Sequence, residues 1–356
     1  MNIKIAVHSE QNQHKDNYAA RWVAELEKRD ILAKKVNLRR TDAILQVRDC
    51  DGVMWHWFHM PDDKQLAPKI LSSIELCLNI PVFPDLRTCW HYDEKNSQNY
   101  LFDAIDAPKI KTWVFWRYDE AVDFIRTCTY PVIFKLSVGA GSANILKVTN
   151  SHEAKQIVDK MFYRGFFPYT INEFTDLQAL KKPKNLLSMM RRGKDALRFL
   201  LFGDYPPLKD YYLPQKNYVY LQEFLPNNPH DIRITVIGDR AFGYIRHNRE
   251  DDFRASGSGN FDVTPENIPV DTVKIAHTLS LKNHFQSMAY DFLLNPERKP
   301  LISEISYCYV NWMVHECPGY WDRELKWHEG HMWPEEAHVE DFVNLILHRK
   351  TTRKTT

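Results

Sequence analysis

The chain has 356 residues, of which 44% are hydrophobic and 26% charged. That leaves room for two or three packed domains and excludes a disordered or fibrous protein. Its 47 Lys and Arg are balanced by 46 Asp and Glu, so no overall attraction to nucleic acid or an anionic membrane surface follows and any anion site has to be local. The six cysteines form no C-x-x-C pair, which excludes a disulfide framework and points to idle thiols in a reducing compartment.

Ile3–Val7 reads as a first strand, and a helix through Tyr18, Trp22 and Leu26 follows, with Asp16 as its N-cap. The apolar alternation at the N-terminus is too brief for a signal peptide, and no run reaches the length of a membrane span, so a cytoplasmic location is expected. Further strands are predicted at 33–36 and 51–57, a helix over 63–78 and an extended piece at 81–84. Strands alternating with helices over the first 110 residues or so predict a small parallel α/β domain. It lacks the G-x-G-x-x-G turn that a dinucleotide-binding Rossmann domain needs.

A helix over 92–107 ending at Pro108, an extended segment at 110–115 and a helix over 118–128 come next. YPVIFK and NILKV then form a hairpin around a loop of small residues, and Ser151 opens another helix with Glu153 nearby. Residues 164–217 resist assignment and carry a basic stretch, Lys181 to Lys194, that reads as a solvated face. Strands return at 218–224 and 231–244, the latter turning at Gly238-Asp239. A helix is predicted over 273–285, strands at 287–294 and 301–305, and a last helix over 337–348 before a frayed tail.

Four constellations carry chemistry. In the first, Lys135 ends a strand and the loop Ser137-Val138-Gly139-Ala140-Gly141-Ser142 follows. Glycines let backbone N–H groups close around a phosphate, and a lysine is a compact charge for the α- or β-phosphate. No G-K-[ST] follows, so this is not a P-loop, and a hairpin turn beside a surface lysine is the plainer alternative. In the second, an apolar strand runs into Gln222-Glu223-Phe224, whose backbone can meet an adenine edge, and Asp231 lies within reach of ribose hydroxyls. An ordinary strand with surface charges is the alternative. The third is the pair Asp291 and Glu304, each in the middle of an apolar strand. A carboxylate there is costly unless paired or bound to metal, and hard oxygens suit Mg2+; the alternative is that both face solvent. The fourth joins Arg246 and Arg254 to a glycine-rich run containing Ser256 and Ser258, suited to a γ-phosphate and a carboxylate, or simply a surface loop.

Taken in this order, the Asp93-Glu-Lys95 segment, PVIFK135 with GAGS, QEFL…DIR, VIGDRAFGYIR246, DFR254AS and the Asp291…Glu304 pair resemble the ATP-grasp superfamily, particularly its RimK-like carboxylate–amine ligases, over residues 81–310. The resemblance implies an α/β plus α+β chain of ATP-grasp fold. Its parts would be a pre-ATP-grasp domain (1–110), a central lobe with the glycine loop and a long insertion (111–217), a C-terminal lobe with the metal ligands (218–350) and a tail (351–356), with Mg-ATP held between two lobes. It also implies that Lys95 and Lys135 contact ATP phosphates, that Gly139, Gly141 and Ser142 belong to the phosphate loop, that Gln222, Glu223 and Phe224 line the adenine pocket and that Asp231 holds the ribose. Arg246 and Arg254 would stabilise the transferring phosphoryl group, and Asp291 and Glu304 would bind Mg2+. The family usually has E-x-N at the second metal position, whereas this chain has Glu304-Ile305-Ser306; Ser306, water or Asn311 would then complete the metal shell. The segment from Ile305 to Gly330 is similar to ATP-grasp proteins associated with bacterial surface-polysaccharide synthesis. The expected partners are a small-molecule or sugar carboxylate and an amine, with no nucleic acid.

Other features carry less. The spacing of His328 and His331 is not that of H-E-x-x-H, which argues against zinc. Trp55, Trp57, Trp90, Trp113 and Trp116 read as core aromatics before sugar platforms. ATP-dependent ligation through an acyl phosphate is the leading expectation. A small-molecule kinase and a nucleotide-binding protein without turnover are the alternatives.

Overall fold

A computed structural model of the chain describes residues 3–9, 18–139, 141, 144–168, 213–249, 252–255 and 259–355. The Asp16 cap, Ser142, the basic stretch 181–194, Ser256 and Ser258 lie outside the described residues. The chain divides into two compact units. One comprises 1–92, 104–108 and 227–356, and the other 93–103 and 109–226.

The first unit contains two sheets. Strands β1 (Lys4–His8), β2 (Leu32–Val36), β3 (Gly52–Met54) and β4 (Val82–Phe83) are all parallel, in the order β2-β1-β3-β4. Helix α1 (Tyr18–Lys28) buries Tyr18, Ala19, Trp22, Val23 and Leu26 against them. Helices α2 (Ala43–Val47) and α3 (Pro61–Ser72) follow, and α3 runs on as a π-helical turn to Cys77, so the single helix predicted over 63–78 is wound in two ways. The strand predicted at 51–57 ends at Met54. Beyond it His56 stacks on Tyr18, ring centroids 3.8 Å apart and planes 8° apart. Both ring nitrogens of His56 are buried without a hydrogen-bond partner among the described residues. Burial alone lowers its pKa from 6.5 to about 3.

The tail KTTRKTT, expected to be frayed, is instead helical as far as Thr355. The last helix runs from Pro334 to Thr355, because Val339, Phe342, Val343 and Ile346 recur at helical spacing and close over α1 and the parallel sheet. Such side chains contribute about 1.5–3 kcal/mol each when fully buried. Gly52 makes room for this approach: a Cβ there would lie 2.7 Å from the side chains of both Phe342 and Ile346.

The second sheet of this unit is antiparallel. It runs β13 (Pro300–Ser306), β12 (Ser287–Leu294), β9 (His230–Ile237), β10 (Arg240–His247), β14 (Gly319–Trp321), β15 (Trp327–Glu329), with β11 (Phe261–Asp262) also on β10. The hairpin between β9 and β10 pairs Ile237 with Arg240, so Gly238 and Asp239 form the whole loop. Gly238 has φ +55°, which a two-residue hairpin asks of its first loop residue.

The other unit is a four-stranded antiparallel sheet ordered β5 (Thr112–Phe115), β8 (Val219–Glu223), β6 (Val132–Lys135), β7 (Ile145–Val148). Sequence reading groups Val219–Glu223 with the strands that follow it. Its hydrogen bonds go to β5 and β6 instead. Two helices, Tyr118–Thr127 and Ser151–Tyr163, cover the sheet through Ala121, Ile125, Ile157, Val158 and Met161. The second starts with Asn150, whose side chain accepts the Glu153 N–H at 3.0 Å while Glu153 accepts the Thr149 N–H at 2.9 Å, a reciprocal cap.

Candidate active site

In the smaller unit the loop after β6 is tied to the start of the helix Lys95–Ala104. Ser137 is the knot. Its carbonyl accepts the Lys95 N–H at 2.8 Å and its hydroxyl accepts the Asn96 N–H at 3.1 Å. Its own N–H is accepted by the hydroxyl of Tyr218, 2.7 Å away. Gly139 is held from both sides: Asp93 accepts its N–H at 2.7 Å, and the Lys95 ammonium donates to its carbonyl at 3.1 Å. It has φ +116°, and a Cβ would stand 2.0 Å from Asn144 Nδ2, which donates to the Val138 carbonyl at 2.8 Å. No side chain fits there, so glycine is required by both conformation and space. Gly141 is also left-handed, at φ +65°, but faces open space.

Lys95 and Lys135 are both almost fully buried, with 4% and 6% of their surface exposed. The structure thus brings Lys95, Gly139 and the end of the Lys135 strand to one loop. Asn144 and Tyr218 were not singled out from sequence, whereas Asp93 and Ser137 entered only as members of the Asp93-Glu-Lys95 segment and the glycine loop, with no role of their own. On β8, the buried Gln222 amide donates to Thr112 Oγ1 at 3.1 Å. Glu223 is exposed, and Phe224 is half-buried with the Lys147 ammonium 4.0 Å from its ring centre.

In the larger unit, strand register assembles a charged cluster on one face of the antiparallel sheet. Arg246 lies opposite Asp231, Arg233 opposite Asp291, and Asp291 opposite Glu304, and residues directly opposite share a face. The two antiparallel strands predicted for Asp291 and Glu304 therefore do pair and set these carboxylates side by side. Arg246 donates through Nε and Nη2 to Asp231 at 2.7 and 2.5 Å, and through Nη2 to Asp291 at 2.8 Å. Arg233 donates to both oxygens of Asp291 at 2.5 and 2.7 Å. The four side chains expose between 8% and 14% of their surface. Neither arginine has a partner for Nη1 among the described residues. Two guanidinium groups are thus fixed by two carboxylates, each with one donor nitrogen left over for an anion.

Burial works against ionisation of Asp291, but the charges and hydrogen bonds of Arg233 and Arg246 outweigh it and hold the carboxyl below the usual range. Asp231 is served by Arg246 and repelled by Asp291, and there burial prevails and pushes the carboxyl up. Arg233 was visible in sequence only as the third residue of DIR. The period of two that places it on the face of Asp231 was the available signal.

The other predicted residues are held locally. Arg254 donates through Nε and Nη2 to Asp252, at distances down to 2.6 Å. The Ser306 hydroxyl donates to the Cys308 carbonyl at 2.6 Å and accepts the Cys308 N–H at 3.2 Å. Asn311, considered from sequence as a substitute metal ligand, uses its amide oxygen on the Trp312 N–H (2.8 Å) and its amide nitrogen on Glu335 (2.6 Å). Among the described residues no group of three or more His, Cys, Asp or Glu is arranged to hold a metal ion. A Mg2+ ion that keeps its waters and binds nucleotide phosphates needs only one or two carboxylates. Asp291 and Glu304 fit that demand, since three guanidinium bonds leave Asp291 one of its about four acceptor directions.

No family model matches the chain, and no curated protein is similar to it in sequence. Solved structures are. The chain is similar to a RimK domain protein ATP-grasp from Sphaerobacter thermophilus DSM 20745 (12% identity over 96% of this chain and 99% of that one, TM-score 0.53). It is similar to the macrocyclase MdnC bound with precursor peptide MdnA from Microcystis aeruginosa MRC (11% identity, 96% and 100%, TM-score 0.57). It is also similar to the biotin carboxylase–beta-gamma-ATP complex from Campylobacter jejuni (12% identity, 95% and 70%, TM-score 0.55). At this identity the likeness is one of fold, and the fold is ATP-grasp: a parallel α/β sheet at the N-terminus and two antiparallel sheets. No helix among the described residues is long and apolar enough to cross a membrane.

Proposed function

We propose that the chain is an ATP-dependent ligase that activates a carboxylate as an acyl phosphate and transfers the acyl group to an amine. The observation that carries this reading is the Arg233–Arg246 pair, held by Asp231 and Asp291 with no partner for either Nη1 among the described residues, beside Glu304 on a sheet of ATP-grasp fold. A substrate carboxylate oxygen attacks the γ-phosphorus, the bond to the β–γ bridging oxygen breaks, and ADP departs. The amine nitrogen then attacks the acyl carbon and phosphate leaves with the carbon–oxygen bond pair, giving an amide after loss of a proton from nitrogen.

Charge grows on the equatorial phosphoryl oxygens in the first step and on the carbonyl oxygen in the second. Donors already fixed in place lower both barriers without reorganising. Lys95 and Lys135 are assigned to the nucleotide phosphates together with Gly139, Gly141 and Ser142. Gln222, Glu223 and Phe224 are assigned to the adenine, Asp231 to the ribose side, and Arg254 to the transferred group. In Asp231 the ribose assignment has a competitor, because both of its oxygens serve Arg246. Mg2+, when bound, neutralises phosphate charge, and Asp291 and Glu304 are the residues that would hold it. The association with surface-polysaccharide synthesis rests on the resemblance of residues 305–330 alone.

A second reading, a nucleotide-binding protein without turnover, is favoured by one observation. Asp291 is already neutralised by two guanidiniums, and the hydroxyl that replaces the usual amide ligand is committed to Cys308.

The test is thermal stabilisation by ATP with and without Mg2+, followed by ADP release over a panel of acids and amines. Stabilisation that is lost in Lys135→Ala, with ADP release requiring both an acid and an amine, supports the ligase. Stabilisation with no release across the panel supports the second reading. No shift with nucleotide removes both.

A further inference from the structure

Beside the arginine pair the sheet carries an aromatic ledge. Phe261 lies opposite Arg246 across β10 and β11, on the side of Arg246 away from Asp231, so its ring shares the face of the charged cluster. Trp312 meets that ring near edge-on, with centroids 5.4 Å apart and planes at 66°. Phe261 is half-buried and Trp312 is 41% exposed.

Single exposed aromatics are ordinary on protein surfaces. This one is mounted on a rigid bracket. The Trp312 backbone N–H is accepted by Asn311 Oδ1, and Asn311 is bonded in turn to Glu335, with Asn311 and Glu335 almost fully buried, which anchors the backbone that carries the ring. A ring pair beside an arginine whose Nη1 has no partner among the described residues is the composition of a small-molecule site: apolar walls supply affinity and a few polar groups set orientation.

We infer that Phe261 and Trp312 form the ring-binding wall of the carboxylate subsite, so that the acid activated here carries a planar ring rather than a short aliphatic chain. Phe261 and Arg246 are direct cross-strand neighbours, on strands about 4.7–4.9 Å apart, so the acid needs only a short linker between its ring and its carboxylate. The inference rests on the ligase reading of Arg246 and narrows it to arylalkanoic acids and their heteroaromatic counterparts.

The test measures dissociation constants of 3-phenylpropionate and propionate by titration calorimetry, with Mg2+ and a non-hydrolysable ATP analogue present. Wild type is expected to prefer 3-phenylpropionate by about tenfold, the scale of one aromatic contact with its buried area. In Trp312→Leu and Phe261→Leu the preference falls below about threefold while propionate binding is unchanged. Equal binding of the two acids, no detectable binding of either, or a preference that survives both substitutions overturns the inference. Arg246→Gln separates this failure from failure of the ligase reading. If it weakens both acids while wild type shows no preference, only the aromatic wall is wrong. If it leaves both affinities unchanged, the carboxylate subsite itself is misplaced and the inference goes with it. Stabilisation by the nucleotide analogue verifies that each variant is folded.

Discussion

Removing Asp291 tests whether the charged cluster holds itself together as drawn. The side chain accepts three charge-assisted hydrogen bonds, two from Arg233 and one from Arg246. In Asp291→Asn the four-membered cluster of two acids and two arginines goes from neutral to a net charge of +1. Arg246 still has Asp231, whereas Arg233 loses the carboxylate that accepts both of its hydrogen bonds in the cluster, and only 14% of its side-chain surface is exposed. Breaking a buried pair from one side costs about 3–5 kcal/mol, most of it the stranded charge. Arg233→Met removes that charge, leaves Asp291 paired with Arg246, and should cost less, about 1–3 kcal/mol. The double variant has no stranded guanidinium at Arg233. It should be no less stable than Asp291→Asn alone, so the coupling energy is expected at roughly 1–3 kcal/mol. Urea unfolding of the four proteins at pH 7, with equal m-values, measures it. Effects that add within about 0.5 kcal/mol would refute the arrangement, because they would mean that Arg233 does not depend on Asp291.

Two further outcomes follow from residues away from that cluster. Gly139→Ala must place a Cβ on Asn144 at φ +116°, so a loss of about 1–3 kcal/mol is expected, together with loss of ATP-dependent stabilisation; a variant with unchanged melting and nucleotide response would sink the loop geometry. His56→Phe tests acid sensitivity. The folded pKa of about 3 lies below the unfolded 6.5, so the unfolded chain takes the proton first, and stability falls as pH drops below 6.5 by up to about 1.4 kcal/mol per pH unit. The variant lacks this penalty and should gain about 2 kcal/mol on wild type between pH 6.5 and 5. A difference that stays constant over that range would show that His56 is not held neutral.

Much of the architecture was legible because it follows from periodicity. The strands 287–294 and 301–305 announce themselves by apolar runs flanking a turn, and the carboxylate in the middle of each is what pairing brings together. The glycine loop was legible because only glycine tolerates the backbone of residue 139. Pairing over long separations was less visible. Val219–Glu223 precedes the C-terminal strands in sequence but hydrogen-bonds to strands roughly 105 and roughly 90 residues earlier in the chain, and nothing local encodes that. Ion-pair partners were also hidden. Asp231, Arg233, Arg246 and Asp291 could each be read as a ligand-binding group, and only the register shows that they first bind one another. The end of the chain was misread because KTTRKTT is polar throughout, while the residues that hold the helix down lie one to four turns earlier.

That last helix has a consequence for how the protein is made. The parallel sheet is formed by residues 4–83, yet Val339, Phe342, Val343 and Ile346 supply part of its cover. During synthesis at about 5–20 residues per second, the sheet therefore waits on the order of ten seconds or more between the emergence of its last strand and the arrival of the helix that seals it. Over that interval Ile5, Val7 and Met54 lack the part of their cover that Val339, Phe342, Val343 and Ile346 supply. A nascent chain stalled before residue 334 should accordingly present an apolar surface to chaperones that the finished protein no longer shows.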